Sequence, residues 1–133
     1  MTIINRFEEY GVNISQVVNC GGIAEKSAIT MQIYADVTGR PMKVSRSAQT
    51  CALGSAIAAA VVAGAHKNYA TAQKKITGLK PKIYRTNPQA HKIYRELYSL
   101  YRTLHDAFGT KKWNGKLFDV MKKLIEIRSR VRK

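Results

Sequence analysis

Val17-Val18-Asn19-Cys20-Gly21-Gly22-Ile23-Ala24-Glu25-Lys26-Ser27 reads as a short buried strand, a tight glycine turn and the start of a helix. Val17 and Val18 are β-branched and apolar, which suits a core strand. Gly21 and Gly22 have no Cβ, so the backbone there can take a positive φ and come close to another group. The apolar run beyond them predicts a helix over about Lys26–Thr38. Its first turn would leave unpaired N–H groups pointing back at the glycines. Strand, glycines and helix N-terminus together make a candidate site for a phosphate or other anion. An ordinary strand-to-helix turn fits the same residues. Neither Gly-x-Gly-x-x-Gly nor Gly-x-x-x-x-Gly-Lys-Ser/Thr is present.

Upstream, Ile3, Phe7 and Tyr10 stand at helical spacing, with Thr2 as an N-cap and Gly11 as a stop. A strand over about Ser15–Asn19 follows. Helix, strand, glycine turn and helix make half of an α/β unit. The 26–38 helix carries Ala28, Ile29, Met31, Ile33, Tyr34, Ala35 and Val37, so it is apolar most of the way round and predicts deep burial. Gln32 and Asp36 are i,i+4 neighbours. They read as structural, one bonding a nearby loop and the other supporting the turn into Gly39. Gly39 closes this helix and Pro41 prevents its continuation. Met42-Lys43-Val44 is a short strand. A helix over about 51–64 follows, ending at Gly64. Its small residues Gly54, Ser55, Ala56, Ala58 and Ala59 predict tight helix–sheet packing ahead of ligand contact.

Farther on, a short basic helix (71–76) leads to a connector ending at Pro81, with Ile83 and Tyr84 extended. Asn87-Pro88 starts a helix, Asn87 as N-cap and Pro88 at its first position. It runs to Phe108 with an apolar stripe of Ala90, Ile93, Tyr94, Leu97, Tyr101, Leu104 and Phe108. Asn114 reads as the cap of a last helix, about 116–131. Leu117, Val120, Met121, Leu124, Ile127 and Val131 make its apolar side. Lys122, Lys123, Arg128, Arg130, Arg132 and Lys133 make it strongly basic.

At 133 residues the chain is one domain's worth, and 45% apolar content fits a globular fold over disorder. The net charge is +15 and unevenly spread. Residues 1–66 hold five Lys/Arg against four Asp/Glu, which leaves +14 on residues 67–133. The order is an α/β part (1–66) carrying the Gly-Gly turn, then a basic helical part (67–133). A half so basic attracts polyanions, or is a solvated surface, or is balanced by an acidic part elsewhere. A stand-alone nucleic-acid-binding module is the alternative reading, although no nucleic-acid motif is present. No 18-residue apolar run and no signal peptide stand in the chain, so no membrane partner is expected. Cys20 and Cys51 are too few and too far apart for a disulfide framework or a Cys-x-x-Cys site, which fits a cytoplasmic setting. His66, His91 and His105 form no metal-ligand spacing. No catalytic or metal-binding residue is assigned.

Gly21-Gly22-Ile23-Ala24-Glu25-Lys26-Ser27, then Met31-Gln32-Ile33-Tyr34-Ala35-Asp36-Val37-Thr38-Gly39-Arg40-Pro41, then Ala52-Leu53-Gly54-Ser55-Ala56 follow an order that resembles the C-terminal part of the FGGY carbohydrate kinases. Within that family the resemblance is nearest to members that phosphorylate L-ribulose. It covers about residues 1–108. It implies an actin-like (ribonuclease H-like) ATPase fold, of which this chain is a C-terminal fragment followed by a helical extension. It also implies ATP with Mg²⁺ as cofactor and L-ribulose as substrate of the complete enzyme. The residues it assigns to the nucleotide are Gly21, Gly22, Lys26 and Ser27. The family's phosphate loop, sugar site and catalytic base lie upstream of the matching region. The resemblance therefore predicts a fragment without kinase activity of its own, with apolar surface left uncovered and prone to self-association.

Overall fold

The computed structural model describes residues 1–111 and 113–132. It divides into two compact units, Met1–Asn87 and Pro88–Lys133.

In the first unit, α1 (Thr2–Glu9) begins from Met1 as its N-cap, so Thr2 is already helical and is not the cap. The helix closes as the sequence predicts. Gly11 N–H donates to the Glu8 carbonyl (2.9 Å) and Val12 N–H to that of Phe7 (2.9 Å), which is the Schellman pattern. Then come β1 (Val17–Asn19), α2 (Gly22–Lys26), α3 (Ala28–Thr38) and β2 (Met42–Ser45). β1 and β2 pair in parallel, Val17 with Met42 and Asn19 with Val44. Parallel neighbours need a crossover, and α2 with α3 supplies it.

The helix expected over about Lys26–Thr38 is α3, which starts two residues later, and a separate short helix, α2, occupies the stretch that begins at the second glycine. Ser27 is extended (φ −119°, ψ 90°) and caps α3, its hydroxyl accepting from Thr30 N–H at 3.3 Å. A serine that satisfies an orphan N–H favours a helix start over a helix interior. The chain leaves α3 as predicted, with Gly39 left-handed (φ 69°) and Pro41 beyond it.

α4 (Thr50–Val62) and α5 (Tyr69–Ile76) pack together, and β3 (Leu79–Tyr84) completes the sheet in the order β1-β2-β3. β3 runs antiparallel to β2, with Met42 opposite Tyr84 and Ser45 opposite Leu79. It includes Pro81, which the sequence places in a connector. Edge strands tolerate proline because one row of N–H groups faces outward. β3 thus contains Ile83 and Tyr84, extended as expected, and adds to them the end of the expected connector.

The core is small. Ala24, Met31 and Val44 cluster, with Tyr84 packed against them. Only one side of α3 is covered: Met31, Ala35 and Asp36 are buried while Ile29 is 71% exposed. The deep burial expected of this helix is therefore not found, and neither is a fully buried β1, since Val18 is about half exposed. Nor does α4 pack tightly on the sheet. Ile57 is its buried residue, and a Cβ at Gly54 would meet open space.

Gln32 and Asp36 are structural, as their spacing suggests. Gln32 Nε2 donates to Asp36 Oδ1 (2.9 Å) and to the Arg85 carbonyl (2.8 Å). Asp36 Oδ1 accepts from Asn87 N–H at 2.7 Å, so it anchors the exit from β3. Asp36→Ala removes the acceptor oxygen on which Gln32 Nε2 and Asn87 N–H converge. We expect a loss of about 1 kcal/mol in urea unfolding, because a buried donor then goes short of a partner. An unchanged midpoint would mean that the junction carries no stability.

The second unit pairs α6 (Pro88–Gly109) with α7 (Val120–Val131). α6 matches its predicted span. Its stripe is half-buried at Ile93, Leu97 and Leu104, while Tyr101 and Phe108 are exposed. α7 begins later than predicted, with Asp119 rather than Asn114 at its N-cap. Val120 and Ile127 are its buried residues. Lys133, counted on its basic side, lies outside the described residues.

Candidate functional site

The glycine turn sits at the end of β1. Gly21 adopts φ 84°, ψ 177° and is the N-cap of α2. That region of backbone space is almost wholly reserved for glycine. Gly22 is different. Its φ is ordinary, it is the first residue of α2, and a Cβ there would meet nothing within 4 Å. One glycine therefore shapes the turn, and the other leaves an open surface beside it.

Two contacts hold α2 in place. Ala24 is buried in the core cluster, and Glu25 pairs with Lys80 on β3 at 2.6 Å. Lys80 lies 55 residues from its partner, so no local sequence signal could have found it. Ile23 projects outward, 64% exposed.

The four candidate residues divide. Gly22 and Lys26 are four apart on α2 and share a face, both exposed. Gly21 stands at the head of that helix. Ser27 lies past its far end, its hydroxyl engaged with Thr30 N–H and, at 2.7 Å, with Thr30 Oγ1. The long helix whose N-terminus was to face the glycines starts at Ala28 instead. What faces them is the five-residue α2, whose aligned peptide dipoles are few. The turn thus offers a flat, side-chain-free surface with a cation on one edge, more than an anion cradle. Among the described residues, no three His, Cys, Asp or Glu side chains gather where a metal ion could be held.

Residues 1–63 match the family model described as the FGGY family of carbohydrate kinases, C-terminal domain. The ribulokinase of Geobacillus thermodenitrificans (strain NG80-2) is 52% identical over 62 residues, which is 47% of this chain and 11% of that one. The ribulokinase of Mycolicibacterium smegmatis is 42% identical over 76 residues, 57% of this chain and 13% of that one. The chain thus spans roughly a tenth of the length of the relatives it matches. In sequence these matches are shorter than the expected 1–108. In structure the likeness reaches farther. A ligand-bound xylulose kinase from Lactobacillus acidophilus superposes with a TM-score of 0.64 at 21% identity, over 73% of this chain and 19% of that one. That likeness speaks for the fold. The alternative of a stand-alone nucleic-acid module finds no support in these comparisons. Residues 1–63 are thus similar to the C-terminal domain of the FGGY family of carbohydrate kinases.

Proposed function

We propose that this chain supplies the adenine-side wall of the nucleotide site in an ATP-dependent sugar kinase, one that converts L-ribulose to L-ribulose 5-phosphate in the cytoplasm. The observation that supports the reading is the match of residues 1–63 to the C-terminal kinase domain, with relatives named ribulokinase at up to 52% identity. The turn fits a nucleotide's flat base. Gly21 turns the backbone, Gly22 leaves open space where a ring can lie, and Lys26 stands on the same face as Gly22. Ser27 contributes by setting where α3 begins.

Phosphoryl transfer also needs metal-bound phosphates and a base for the attacking hydroxyl. MgATP supplies the transferred group when bound. The residues of this chain bind and orient the base. The activity of the complete enzyme then depends on groups beyond those assigned here, and no turnover of L-ribulose with MgATP is expected from this chain.

Calorimetric titration with MgATP tests the reading. Gly22→Val is the informative control, because its backbone accepts a side chain while the new branch fills the open surface. Weak saturable binding that Gly22→Val abolishes is the expected result. Saturable binding that survives the substitution would move the nucleotide elsewhere.

A second expectation concerns association. Ile29, Val62 and Tyr10 are each more than 70% exposed, so the first unit presents apolar side chains on several elements. Such surface favours self-association. Sedimentation velocity should show the weight-average mass rising with concentration. A single monomer boundary throughout would count against it.

A further inference from the structure

We propose that the outward face of α7 docks on an anionic membrane surface. The face is defined by what it turns away from. Lys123, Glu126, Ile127 and Arg130 line a cleft of about 250 Å³ with Glu96, Ser99 and Leu100 of α6. Arg130 pairs there with Glu96 at 2.5 Å. At 100° per residue, Met121, Ile125, Arg128 and Arg132 fall on the opposite side of the helix, with Lys122 at its flank. Phe118 precedes the first turn and extends the row at the same three- and four-residue steps.

Every one of these six side chains is exposed. Phe118 is 75% exposed, Met121 65% and Ile125 49%, an apolar row that nothing in this unit covers. Lys122, Arg128 and Arg132 flank the row, and none of them meets a carboxylate among the described residues. Lys122 instead sits 4.0 Å over the Phe118 ring. Glu126, the acidic residue within α7, is turned into the cleft.

Charge selects the occupant. A second copy of a +15 chain would bring like charges together, so the face is unsuited to self-pairing. A nucleic-acid backbone would satisfy the cations but leave the apolar row in water. An anionic bilayer satisfies both, with the apolar side chains at the headgroup–acyl boundary and the cations among the headgroups. This is surface association. Among the described residues no helix is long and apolar enough to cross a membrane.

The test is co-sedimentation of the full chain with phosphatidylcholine vesicles, with and without phosphatidylserine, beside binding to a DNA duplex. Two variants separate the contributions. Phe118→Ser/Met121→Gln/Ile125→Gln keeps the charge, and Lys122→Gln/Arg128→Gln/Arg132→Gln keeps the apolar row. The expected result is binding to the anionic vesicles only. The charge-neutral variant should lose at least about tenfold on vesicles with duplex binding unchanged. The cation variant should lose roughly fivefold per residue. The single change Ile125→Gln keeps the test valid if the triple variant misfolds, as circular dichroism would reveal. Undiminished vesicle binding by the charge-neutral variants would reduce the effect to net charge and overturn the proposal. So would an equal loss on the duplex, which would make the face a general polyanion site.

Discussion

Met31→Ala should lower the stability of the Met1–Asn87 unit by about 2–5 kcal/mol, the range for truncating a long buried side chain to alanine. Met31 is 1% exposed and sits in the small core cluster between α2, α3 and the sheet. The cost has two parts, lost transfer free energy and the cavity left behind. Little can collapse into the gap, because the neighbours Ala24 and Val44 are short and fixed by helix and strand. For a unit with so few buried side chains, such a loss is a large share of a domain's usual 5–15 kcal/mol. The readout must be placed with care. The single tryptophan, Trp113, belongs to the other unit, so a readout within the Met1–Asn87 unit is the direct one. Amide hydrogen exchange at Met42–Ser45 supplies it. Protection of these amides should fall by about 1.5 to 3.5 orders of magnitude, and unaltered protection would show that the sheet does not depend on Met31.

Gly21→Val is expected to cost up to about 3 kcal/mol, through backbone strain rather than lost contacts. At φ 84° and ψ 177° a β-branched residue has no comfortable conformation, even though open space surrounds the position. The turn must then rotate, and α2 with Ala24 moves out of the core. Gly22→Val should leave stability within about 0.5 kcal/mol, the usual range for exposed sites. The pair thus separates shape from occupancy. Matched urea midpoints for the two variants would show that Gly21 does not carry the turn.

Much of this was legible in the sequence. Gly11, Gly39 and Gly64 mark helix ends, and Asn87-Pro88 marks the start of α6, because these residues act through local backbone geometry. Met42–Val44 reads as a strand from its own composition. The two-glycine turn after β1 was also legible, although which glycine is strained was not. That depends on ψ as well as φ, and the two residues have identical side chains.

The misreadings share a cause. The start of α3 was placed at Lys26, two residues early, because hydrophobic period outweighed the capping chemistry of Ser27. Yet Ser27 and Thr30 have the spacing of a cap, so a signal was present. Only Ile83 and Tyr84 of β3 read as extended, because a strand containing Pro81 is stable only where a partner, here β2, pairs one side of it. The burial of α3 and α4 was overstated because apolar composition says what a helix can bury. It does not say what is there to cover it.

Arg40 gives the N-terminus a property of its own. Its guanidinium donates to the Ile14 carbonyl from Nε (2.6 Å) and to the Thr38 carbonyl from Nη1 (2.8 Å), and its Nη2 pairs with Glu8 on α1. α1 has eight residues and none of them is buried. A helix that short is marginal in water without tertiary support. The Arg40–Glu8 pair, part-exposed on both sides, supplies part of that support, on the order of 1 kcal/mol or less. Added electrolyte screens such a pair. The tether from Glu8 on α1 to Arg40 therefore slackens as ionic strength rises, while the sheet behind it keeps its register.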